Sequence, residues 1–336
     1  MSAARLLADA GPVGGVGGVG VVGIGNMGLG LVLRLRDAGI AVSVCDIDAN
    51  RTVLAAEAGA RVCATPAEAA RGCALLAVVV VDAAQTEAVL FGTQGIAGAA
   101  AALPPGAAVL LCPTLGPADV ESIAARLGAV GLGCIDAPMS GGPVRARDGS
   151  MSLMVACSDA LWARHQPLLL HLAAGLLRVG SRCGDGARTK LVNNLLAAVN
   201  LAATAEALAL ATHLGLDAGR TLDLIARSSG QSWIGSDRMA RALAGDFAPR
   251  AHTTLLAKDT RLALAMVARA GLPAPVLGQR AAALFQDALA AGYAGEDDAR
   301  MLSLLMAMQA PRVPPVPPAP PVQPPRPGAP STGSAP

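Results

Sequence analysis

The chain has few charged residues, and charges of one sign do not accumulate in any segment. Charged residues make up 15% of the 336 residues, and the formal net charge is only +2. Nucleic-acid-binding proteins usually carry a basic stripe or patch, so this distribution argues against a nucleic-acid partner. The length is sufficient for two domains with a sizeable hydrophobic core.

Cysteine and histidine are too scattered to indicate a site. The seven cysteines include no C-x-x-C pair, and none of the four histidines lies at ligand spacing from a cysteine or another histidine. These spacings argue against a bound metal and against a disulfide framework. Residues 1–12 contain Arg5 and Asp9 and lack a continuous apolar core. We therefore expect no signal peptide and predict a reduced, cytoplasmic location.

No apolar run is long enough to predict a transmembrane helix, which needs about 20 predominantly apolar residues. The run Leu75–Val81 is too short, and the run Leu195–Ala211 is interrupted by Asn200, Thr204 and Glu206. We expect no membrane partner. The hydrophobic content of 53% is instead typical of helices that cover a buried parallel sheet.

Alternating strand and helix patterns predict an α/β fold in the first half of the chain. Short β-branched runs alternate with Ala-rich stretches, which indicates βαβ units in a doubly wound, mostly parallel sheet of the Rossmann type. The predicted strands are 19–22, 41–45, 75–81, 108–111, 133–136, 152–156 and 177–179. The second half is predicted to be all-helical, with helices at 191–214, 218–228, 256–270, 275–291 and 298–309.

These patterns divide the chain into four predicted segments. Residues 1–16 form a flexible lead-in, and residues 17–181 form the sheet domain. Residues 182–310 form the helical domain, which the chain enters through a long interdomain helix. Residues 311–336 are dominated by proline and are predicted to be a disordered tail.

A glycine-rich turn follows the first predicted strand. Between that strand and a helix predicted at 29–37 stand Gly23, Ile24, Gly25, Asn26, Met27 and Gly28. In this context the glycines permit a tight turn, close approach of a pyrophosphate and close packing of helix on strand, and the helix N-terminus attracts the anion. The neighbouring Gly-rich residues 13–20 can produce such spacing by chance, so the strand and helix carry the prediction of a dinucleotide-binding domain.

An acidic residue bears on the choice of cofactor. Asp46 ends the second predicted strand about 20 residues after the glycines, where an acid binds the adenosine ribose hydroxyls and repels a 2′-phosphate. We therefore predict NAD in preference to NADP. Asp48 is a second candidate for this role, and Arg51 could accept the 2′-phosphate of NADP. Asp46 could alternatively cap the helix predicted at 49–58.

A second motif, Asp-Ala-Pro-Met-Ser-Gly-Gly, begins at the end of the strand predicted at 133–136. Ser140 offers a hydroxyl, and Gly141 and Gly142 expose backbone N–H groups, an array that suits a carboxylate. The carboxyl ends of parallel strands are where ligands bind in such sheets. An ordinary Pro/Gly loop would explain the glycine pair but not the whole motif.

Lys190 and Asn194 lie one turn apart at the start of the predicted long helix and therefore share a face. A cation and an amide that project from a mostly apolar helix need a polar partner. A substrate oxygen is one candidate for that partner. The alternative is a lysine whose amine reaches solvent along an apolar surface.

Four motifs in order make the chain similar to a known family. They are Gly23-Ile-Gly-Asn-Met-Gly28, Asp136-Ala-Pro-Met-Ser-Gly-Gly142, Gly186-x-x-x-Lys190-x-x-Asn-Asn194 and Leu256-x-Lys258-Asp259. On these residues, from about Val19 to Met308, the chain resembles the β-hydroxyacid dehydrogenases, the group that contains 3-hydroxyisobutyrate dehydrogenase and tartronate semialdehyde reductase. Residues 83–92, residues 232–234 with 238–239, and residues 245–249 are most similar to the L-threonate dehydrogenase branch.

The resemblance implies hydride transfer between a small hydroxy carboxylic acid and NAD or NADP. Lys190 would be the catalytic acid/base. Asn194 would orient the substrate, and Ser140, Gly141 and Gly142 would hold its carboxylate. The cofactor would contact Gly23, Ile24, Gly25, Asn26, Met27, Gly28, Asp46, Val80, Thr114 and Lys258.

Trp233 and Arg238 are candidate substrate contacts from the helical domain. Trp233 lies in a segment, 228–236, that is predicted to be a loop, and it could equally pack an interhelical joint. Four positions depart from the family pattern: Asp82, Pro113, Met139 and Thr260. Asp82 would place a negative charge near the pyrophosphate or the substrate carboxylate unless it faces solvent.

Two alternatives to an L-threonate or 3-hydroxyisobutyrate-like activity stay open. One is a tartronate semialdehyde (2-hydroxy-3-oxopropionate) reductase, and the other is a non-catalytic dinucleotide-binding module. Lys190 together with Asn194 argues against the module and against imine reductases, which usually lack the lysine. The apolar long helix predicts a homodimer or homotetramer.

Overall fold

The first half of the described chain forms one sheet. The structure is a computed structural model, and it describes residues 17–310; the predicted lead-in and tail lie outside these residues. Within them the strands are β1 Gly18–Val22, β2 Val42–Cys45, β3 Arg61–Val62, β4 Cys73–Val78, β5 Ala108–Leu111, β6 Gly133–Asp136, β7 Met139–Ser140, β8 Ser152–Ala156 and β9 Gly175–Gly180. Their order is β3-β2-β1-β4-β5-β6-β8-β7, with β9 also paired to β8.

The sheet is mostly parallel, as predicted. Strands β1 to β6 pair in parallel, and β8 runs antiparallel to both β6 and β7. Strand β1 pairs with β2 on one side and with β4 on the other, so the strand order reverses at β1. A reversal of this kind opens a crevice at the carboxyl ends of the strands, which is where doubly wound sheets bind ligands.

Helices cover both faces of this sheet. They are α1 Asn26–Asp37, α2 Ala49–Glu57, α3 Pro66–Ala70, α4 Ala83–Phe91, α5 Pro117–Ala129, α6 Gly142–Asp148 and α7 Asp159–Leu172. One apolar cluster joins Val19 and Val21 to Leu31 of α1, and a second joins Val22 and Leu76 to helices on the opposite face. Burial on both faces explains why the strands read as nearly continuous apolar runs.

The second half is all-helical and is built around one long helix. The helices are α8 Asp185–His213, α9 Ala218–Ala226, α10 Trp233–Leu243, α11 Thr253–Arg269, α12 Val276–Ala290 and α13 Met301–Met308. Helix α8 contacts each of the other five. Among the described residues it is the one helix long and apolar enough to cross a membrane by length and composition, and 44% of its most apolar stretch is buried against the protein.

The structure differs from the predictions at several element ends. Strands β3 and β7 were not predicted, because two residues are too few to show the alternation that marks a strand. Strand β4 ends at Val78 rather than at residue 81. Helix α8 begins at Asp185, so Lys190 lies in its second turn rather than at its start. Strand β9 ends at Gly180, which places the predicted 181/182 boundary in the loop before α8.

Candidate active site

A cavity of about 720 Å³ lies at the carboxyl edge of the sheet, between the sheet and the helices that follow it. Its walls come from both halves of the chain. The first half contributes the glycine-rich turn and the Ser-Gly-Gly loop, and the second half contributes α8, α10 and α11. The predicted site residues in its lining are Gly25, Asn26, Met27, Gly28, Val80, Thr114, Ser140, Gly141, Gly142, Lys190, Asn194, Trp233 and Lys258.

The glycine-rich turn requires glycine at two of its three glycine positions. Gly23 has φ +87°, and a Cβ on it would lie 2.4 Å from the carbonyl oxygen of Val79. A Cβ on Gly28 would lie 2.1 Å from the carbonyl oxygen of Gly23. A Cβ on Gly25, by contrast, would meet no heavy atom of residues 17–310 within 4 Å. The turn is therefore tight on its protein side and open on the cavity side, at the N-terminus of α1, as a bound pyrophosphate requires.

Asp46 holds the turn from the second strand. Its carboxylate accepts a hydrogen bond from the backbone N–H of Ile24 and another, of 2.8 Å, from the N–H of Asp48. Asp48, not Asp46, caps α2 by accepting from the N–H of Asn50 at 2.9 Å. Arg51 donates to the Asn26 side chain at 2.8 Å. An acid, which favours NAD, and an arginine, which could accept the 2′-phosphate of NADP, thus both lie beside the turn.

Lys258 ties the helical half to the sheet half. Its Nζ donates to the carbonyl oxygen of Thr114 at 2.7 Å and lies 3.0 Å from Oδ1 of Asp259. Thr114 follows β5, and Val80 follows β4, so both occupy the carboxyl edge beside the glycine-rich turn. This contact fixes α11 to the carboxyl edge of the sheet, at the segment that follows β5.

The Ser-Gly-Gly loop also needs its glycines. Gly141 and Gly142 have φ of +133° and +78°, in the left-handed region that side chains disfavour. Ser140 ends the short strand β7, and α6 begins at Gly142. The hydroxyl of Ser140 and this backbone line the cavity together.

Lys190 and Asn194 are both buried, with 7% and 9% of their surface exposed. Asp136, at the end of β6, holds the start of α8: its Oδ2 accepts from the N–H groups of Gly184 at 2.7 Å and Ala187 at 3.1 Å. Burial raises the pKa of Asp136 to about 6, and these backbone hydrogen bonds oppose the rise. The helix is thus fixed to the sheet within about two turns before Lys190, and the buried lysine lines the cavity.

The electrostatic surroundings of Lys190 favour a neutral amine. Desolvation lowers its pKa to about 8, with a further lowering by Lys258 and an opposing effect of Asp259. Within residues 17–310 its Nζ makes no hydrogen bond and no ion pair. Asn194 is instead fixed, because its Nδ2 donates to Oδ2 of Asp259 at 2.6 Å and its Oδ1 accepts from Asn193 at 3.0 Å.

Asp259 was not among the predicted site residues. It is 5% exposed and contacts Asn194 and Lys258, and its charge acts on Lys190. The only sequence signal was its place after Lys258 in the Leu256-x-Lys-Asp motif. Its contact with Asn194 spans 65 residues along the chain, a distance over which a pattern carries no information.

Known dehydrogenases match this chain over most of its length. A family model described as the NAD binding domain of 6-phosphogluconate dehydrogenase matches residues 18–183. A second, described as NAD-binding of NADP-dependent 3-hydroxyisobutyrate dehydrogenase, matches residues 184–305. The L-threonate dehydrogenase of Cupriavidus necator is 36% identical over 285 residues, which is 85% of this chain and 95% of that protein. The chain belongs to the β-hydroxyacid dehydrogenase family.

Further relatives agree with this membership. The L-threonate dehydrogenase of Escherichia coli K12 is 36% identical over 83% of this chain and 92% of its own length. A solved structure named 3-hydroxyisobutyrate dehydrogenase, from Salmonella typhimurium, is 34% identical with a TM-score of 0.79 and covers 85% of this chain and 99% of its own. The protein is thus a hydroxyacid dehydrogenase that acts on a CH–OH group of a small molecule with NAD or NADP.

The structure places Trp233 at the start of a helix and Arg238 in the cavity wall. Trp233 is the first residue of helix α10, not part of a loop, because Ser232 caps the helix through the N–H of Gly235 at 3.1 Å. The indole is 49% exposed, and the guanidinium of Arg145 lies 5.1 Å from its ring centre. Arg238 lines the cavity, but its charge is taken up by Asp298 at 2.6 Å and by Asp237.

Two of the four departures from the family pattern, Asp82 and Thr260, make hydrogen bonds within helices, and the other two lie in the cavity wall. Asp82 caps α4 by accepting from the N–H of Gln85 at 2.9 Å, and it does not line the cavity. Thr260 is buried, and its hydroxyl donates to the carbonyl oxygen of Leu256 at 2.8 Å. Pro113 and Met139 line the cavity beside predicted site residues. Asp82 therefore stabilises a helix and adds no charge to the cleft.

Proposed function

We propose that this dehydrogenase oxidises L-threonate or a 3-hydroxyisobutyrate-like acid, with Lys190 as general acid/base. One observation carries the proposal. The buried amine of Lys190 has no partner among the described residues, and burial lowers its pKa to about 8. This amine faces the same cavity as the Ser-Gly-Gly loop and the glycine-rich turn. A base works best when its pKa lies near the working pH.

The side chains around Lys190 support separate roles for binding and for proton transfer. The hydroxyl of Ser140 and the N–H groups of Gly141 and Gly142 would hold the substrate carboxylate. Asn194 uses one N–H and one lone pair within the protein, so one of each remains to orient the reacting hydroxyl. Asp259 would act through Asn194 by fixing the plane of its amide.

The cofactor fits the residues at the other end of the cavity. Bound NAD or NADP would supply the hydride acceptor. It would be held by Gly25, Asn26, Met27, Gly28, Val80, Thr114 and Lys258, which line the cavity, and by Gly23, Ile24 and Asp46, which lie in or beside the same turn and outside the lining. The open space over Gly25 supports the pyrophosphate position, and the carboxylate of Asp46 supports a preference for NAD through the ribose hydroxyls.

In the oxidative direction Lys190 is the proton acceptor. The neutral amine accepts the proton of the substrate hydroxyl as hydride leaves the carbinol carbon, and the carbonyl product forms. Lys190 then returns the proton to solvent. In the reductive direction the protonated amine polarises the carbonyl oxygen and donates to it.

A substrate panel tests the activity. L-threonate, glycerate, 3-hydroxyisobutyrate and 3-hydroxypropionate would be compared with NAD and with NADP by following NAD(P)H fluorescence. The first five curated relatives, at 32–36% identity, carry the name L-threonate dehydrogenase and support L-threonate as the best substrate. If NADH binds but none of the acids is turned over, the protein is a non-catalytic dinucleotide-binding module.

A second candidate activity is the reduction of 2-hydroxy-3-oxopropionate. A reductase of this name from Escherichia coli K12 is 31% identical over 56% of this chain and 64% of its own length. Reduction of this aldehyde by NADH with a higher kcat/KM than any oxidation in the panel would favour this candidate.

Cofactor preference has its own test. Asp46→Ala is expected to weaken NAD binding by about tenfold and NADP binding little, because the ribose hydroxyls lose a charged acceptor. Asp48→Ala tests the second candidate: because Asp48 caps α2, this variant should leave the ratio of the two cofactor affinities unchanged. An equal effect of Asp46→Ala on both cofactors would contradict the assignment.

We also propose a cytoplasmic homodimer or homotetramer without a nucleic-acid or membrane partner. Exposed apolar side chains occur near both ends of α8: Val192 and Leu196, of which Leu196 also lines the cavity, and Leu210 with Leu214, the residue just after the helix. Faces of this kind support association between subunits. Sedimentation of the full chain should give a multiple of 33.3 kDa, and a purely monomeric protein would contradict the oligomer.

A further inference from the structure

Arg145 is a cation in the substrate part of the cavity that the predictions did not include. It lies on α6, three residues after Gly142, and it lines the cavity with Ser140. Its side-chain stem packs over the Ser-Gly-Gly loop, because a Cβ on Gly141 would lie 2.9 Å from Cδ of Arg145. The guanidinium then reaches the ring of Trp233 on α10, which belongs to the other half of the chain.

Most other cations near this part of the cavity are already paired. Arg238 pairs with Asp298 at 2.6 Å, Arg250 with Asp246 at 2.7 Å, and Lys258 with Asp259 at 3.0 Å. The amine of Lys190 has to be neutral to act as a base. Arg145 forms no ion pair with any residue in 17–310, and an arginine stays charged at every working pH. A permanent positive charge is therefore left over beside the loop that would hold a carboxylate.

We propose that Arg145 binds the substrate carboxylate together with Ser140 and the glycine N–H groups, and that Trp233 positions its guanidinium. The proposal rests on the hydroxyacid dehydrogenase activity proposed above. Within that activity, Arg145 would be the residue that selects an anionic substrate.

The chemistry of the two groups agrees with these roles. The loop offers one hydroxyl and backbone dipoles but no charge. A guanidinium adds a planar pair of N–H donors that matches the two oxygens of a carboxylate. The indole face attracts the cation and limits its orientations, so less conformational entropy is lost when the carboxylate binds. Trp233 thus contributes to substrate binding without having to contact the substrate.

Substitution of Arg145 tests the proposal with a matched control on the same helix. Arg145→Met keeps the apolar stem over Gly141 and removes the charge. It should raise KM for the hydroxy acid by about 10- to 100-fold, change kcat by less than about threefold and leave NADH binding unchanged. Arg145→Lys should have a KM for the hydroxy acid between those of Arg145→Met and the wild type. Arg147→Met is the control, because Arg147 pairs with Asp37 outside the cavity and should leave KM unchanged.

Two comparisons separate carboxylate binding from a general loss of structure. The amide of the same substrate should be used equally well by the wild type and Arg145→Met, because only the carboxylate depends on the charge. Trp233→Ala should raise KM for the acid by about three- to tenfold with little change for the amide, and Trp233→Phe should restore most of the loss. A KM for the acid within twofold of wild type in Arg145→Met, or an equal rise for acid and amide, would overturn the proposal.

A binding measurement distinguishes this proposal from the proposed activity. The chain has two tryptophans, so Trp162→Phe leaves Trp233 as the one indole that reports. With NADH bound, the substrate acid should change the Trp233 emission with a saturable dependence that Arg145→Met weakens by at least about tenfold. Saturation without turnover would reject the activity and retain the carboxylate site. Turnover with an Arg145-independent titration would reject the carboxylate site alone.

Discussion

The surroundings of Lys190 on α8 and of Lys258 on α11 differ although both lysines line the same cavity. Lys258 donates to a backbone carbonyl and lies beside a carboxylate, whereas Lys190 makes no hydrogen bond or ion pair within residues 17–310. A paired lysine holds two parts of a protein together. An amine without a partner, taken out of water, has a lowered pKa and becomes available for proton transfer.

The rarity of lysine strengthens this comparison. Only two of the 26 basic residues in the chain are lysines, and both lie in the cleft. The other positions are arginines, many of them in ion pairs on the surface. An arginine cannot lose its proton in a protein, whereas a lysine can be brought to a pKa near the working pH. The low number of lysines is therefore a sequence signal for the site that is independent of the motifs.

The largest expected effect is the loss of activity in Lys190→Arg. The substitution keeps the positive charge but removes the proton acceptor, so kcat for oxidation should fall by about 10³- to 10⁴-fold while NADH still binds. Lys258→Arg is the matched control and should retain activity within about tenfold, since a guanidinium can also donate to the Thr114 carbonyl. The measurement is steady-state turnover with the best acid of the panel. Retention of more than a few per cent of the rate in Lys190→Arg would remove Lys190 from the role of base.

The pH dependence should have opposite signs in the two directions. Because Lys190 has a pKa of about 8, it is protonated below that pH and cannot accept a proton. The kcat for oxidation should therefore fall by about tenfold per pH unit below 8 and level off above it. The kcat for reduction should instead fall as the pH rises above 8. Profiles of both directions that run in parallel would contradict a single acid/base.

Removal of the Lys258 amine should have a smaller effect. Lys258→Met loses the hydrogen bond to the Thr114 carbonyl, which ties α11 to the sheet, and we expect a loss of about tenfold in kcat/KM. The variant also loses a positive charge that lowers the pKa of Lys190, so the rise of the oxidation profile should move to higher pH. A loss as large as that of Lys190→Arg would mean that the two lysines share the chemistry.

The smallest expected effect is that of Asp259→Asn. Its charge raises the pKa of Lys190, so the substitution should move the rise of the oxidation profile to lower pH, with kcat changed by less than about tenfold. Labelling of the lysine Cε carbons with ¹³C gives two resonances in this chain, and their titration reports the pKa of Lys190 directly. An unchanged titration would show that Asp259 acts through its contacts with Asn194 and Lys258 and not on the pKa of Lys190.

Much of the sheet domain could be predicted because its signals are local. Buried strands read as apolar runs, and the glycine-rich turn and the Ser-Gly-Gly loop each need glycine for steric reasons that act within a few residues. Helix α10 was missed because its start depends on the cap by Ser232 rather than on a long apolar pattern. The contacts of Asp259 with Asn194 and of Arg145 with Trp233 were missed because they join segments distant in sequence.

The capping of α8 by Asp136 has a consequence for the design of variants. The helix that carries Lys190 is anchored at the end of β6, through two N–H groups that meet one carboxylate oxygen. Lys190 is therefore held in register with the sheet and with the Ser-Gly-Gly loop, which follows the same strand. Side chains of α10 that line the cavity can therefore be exchanged without moving the anchor that places Lys190 relative to the Ser-Gly-Gly loop.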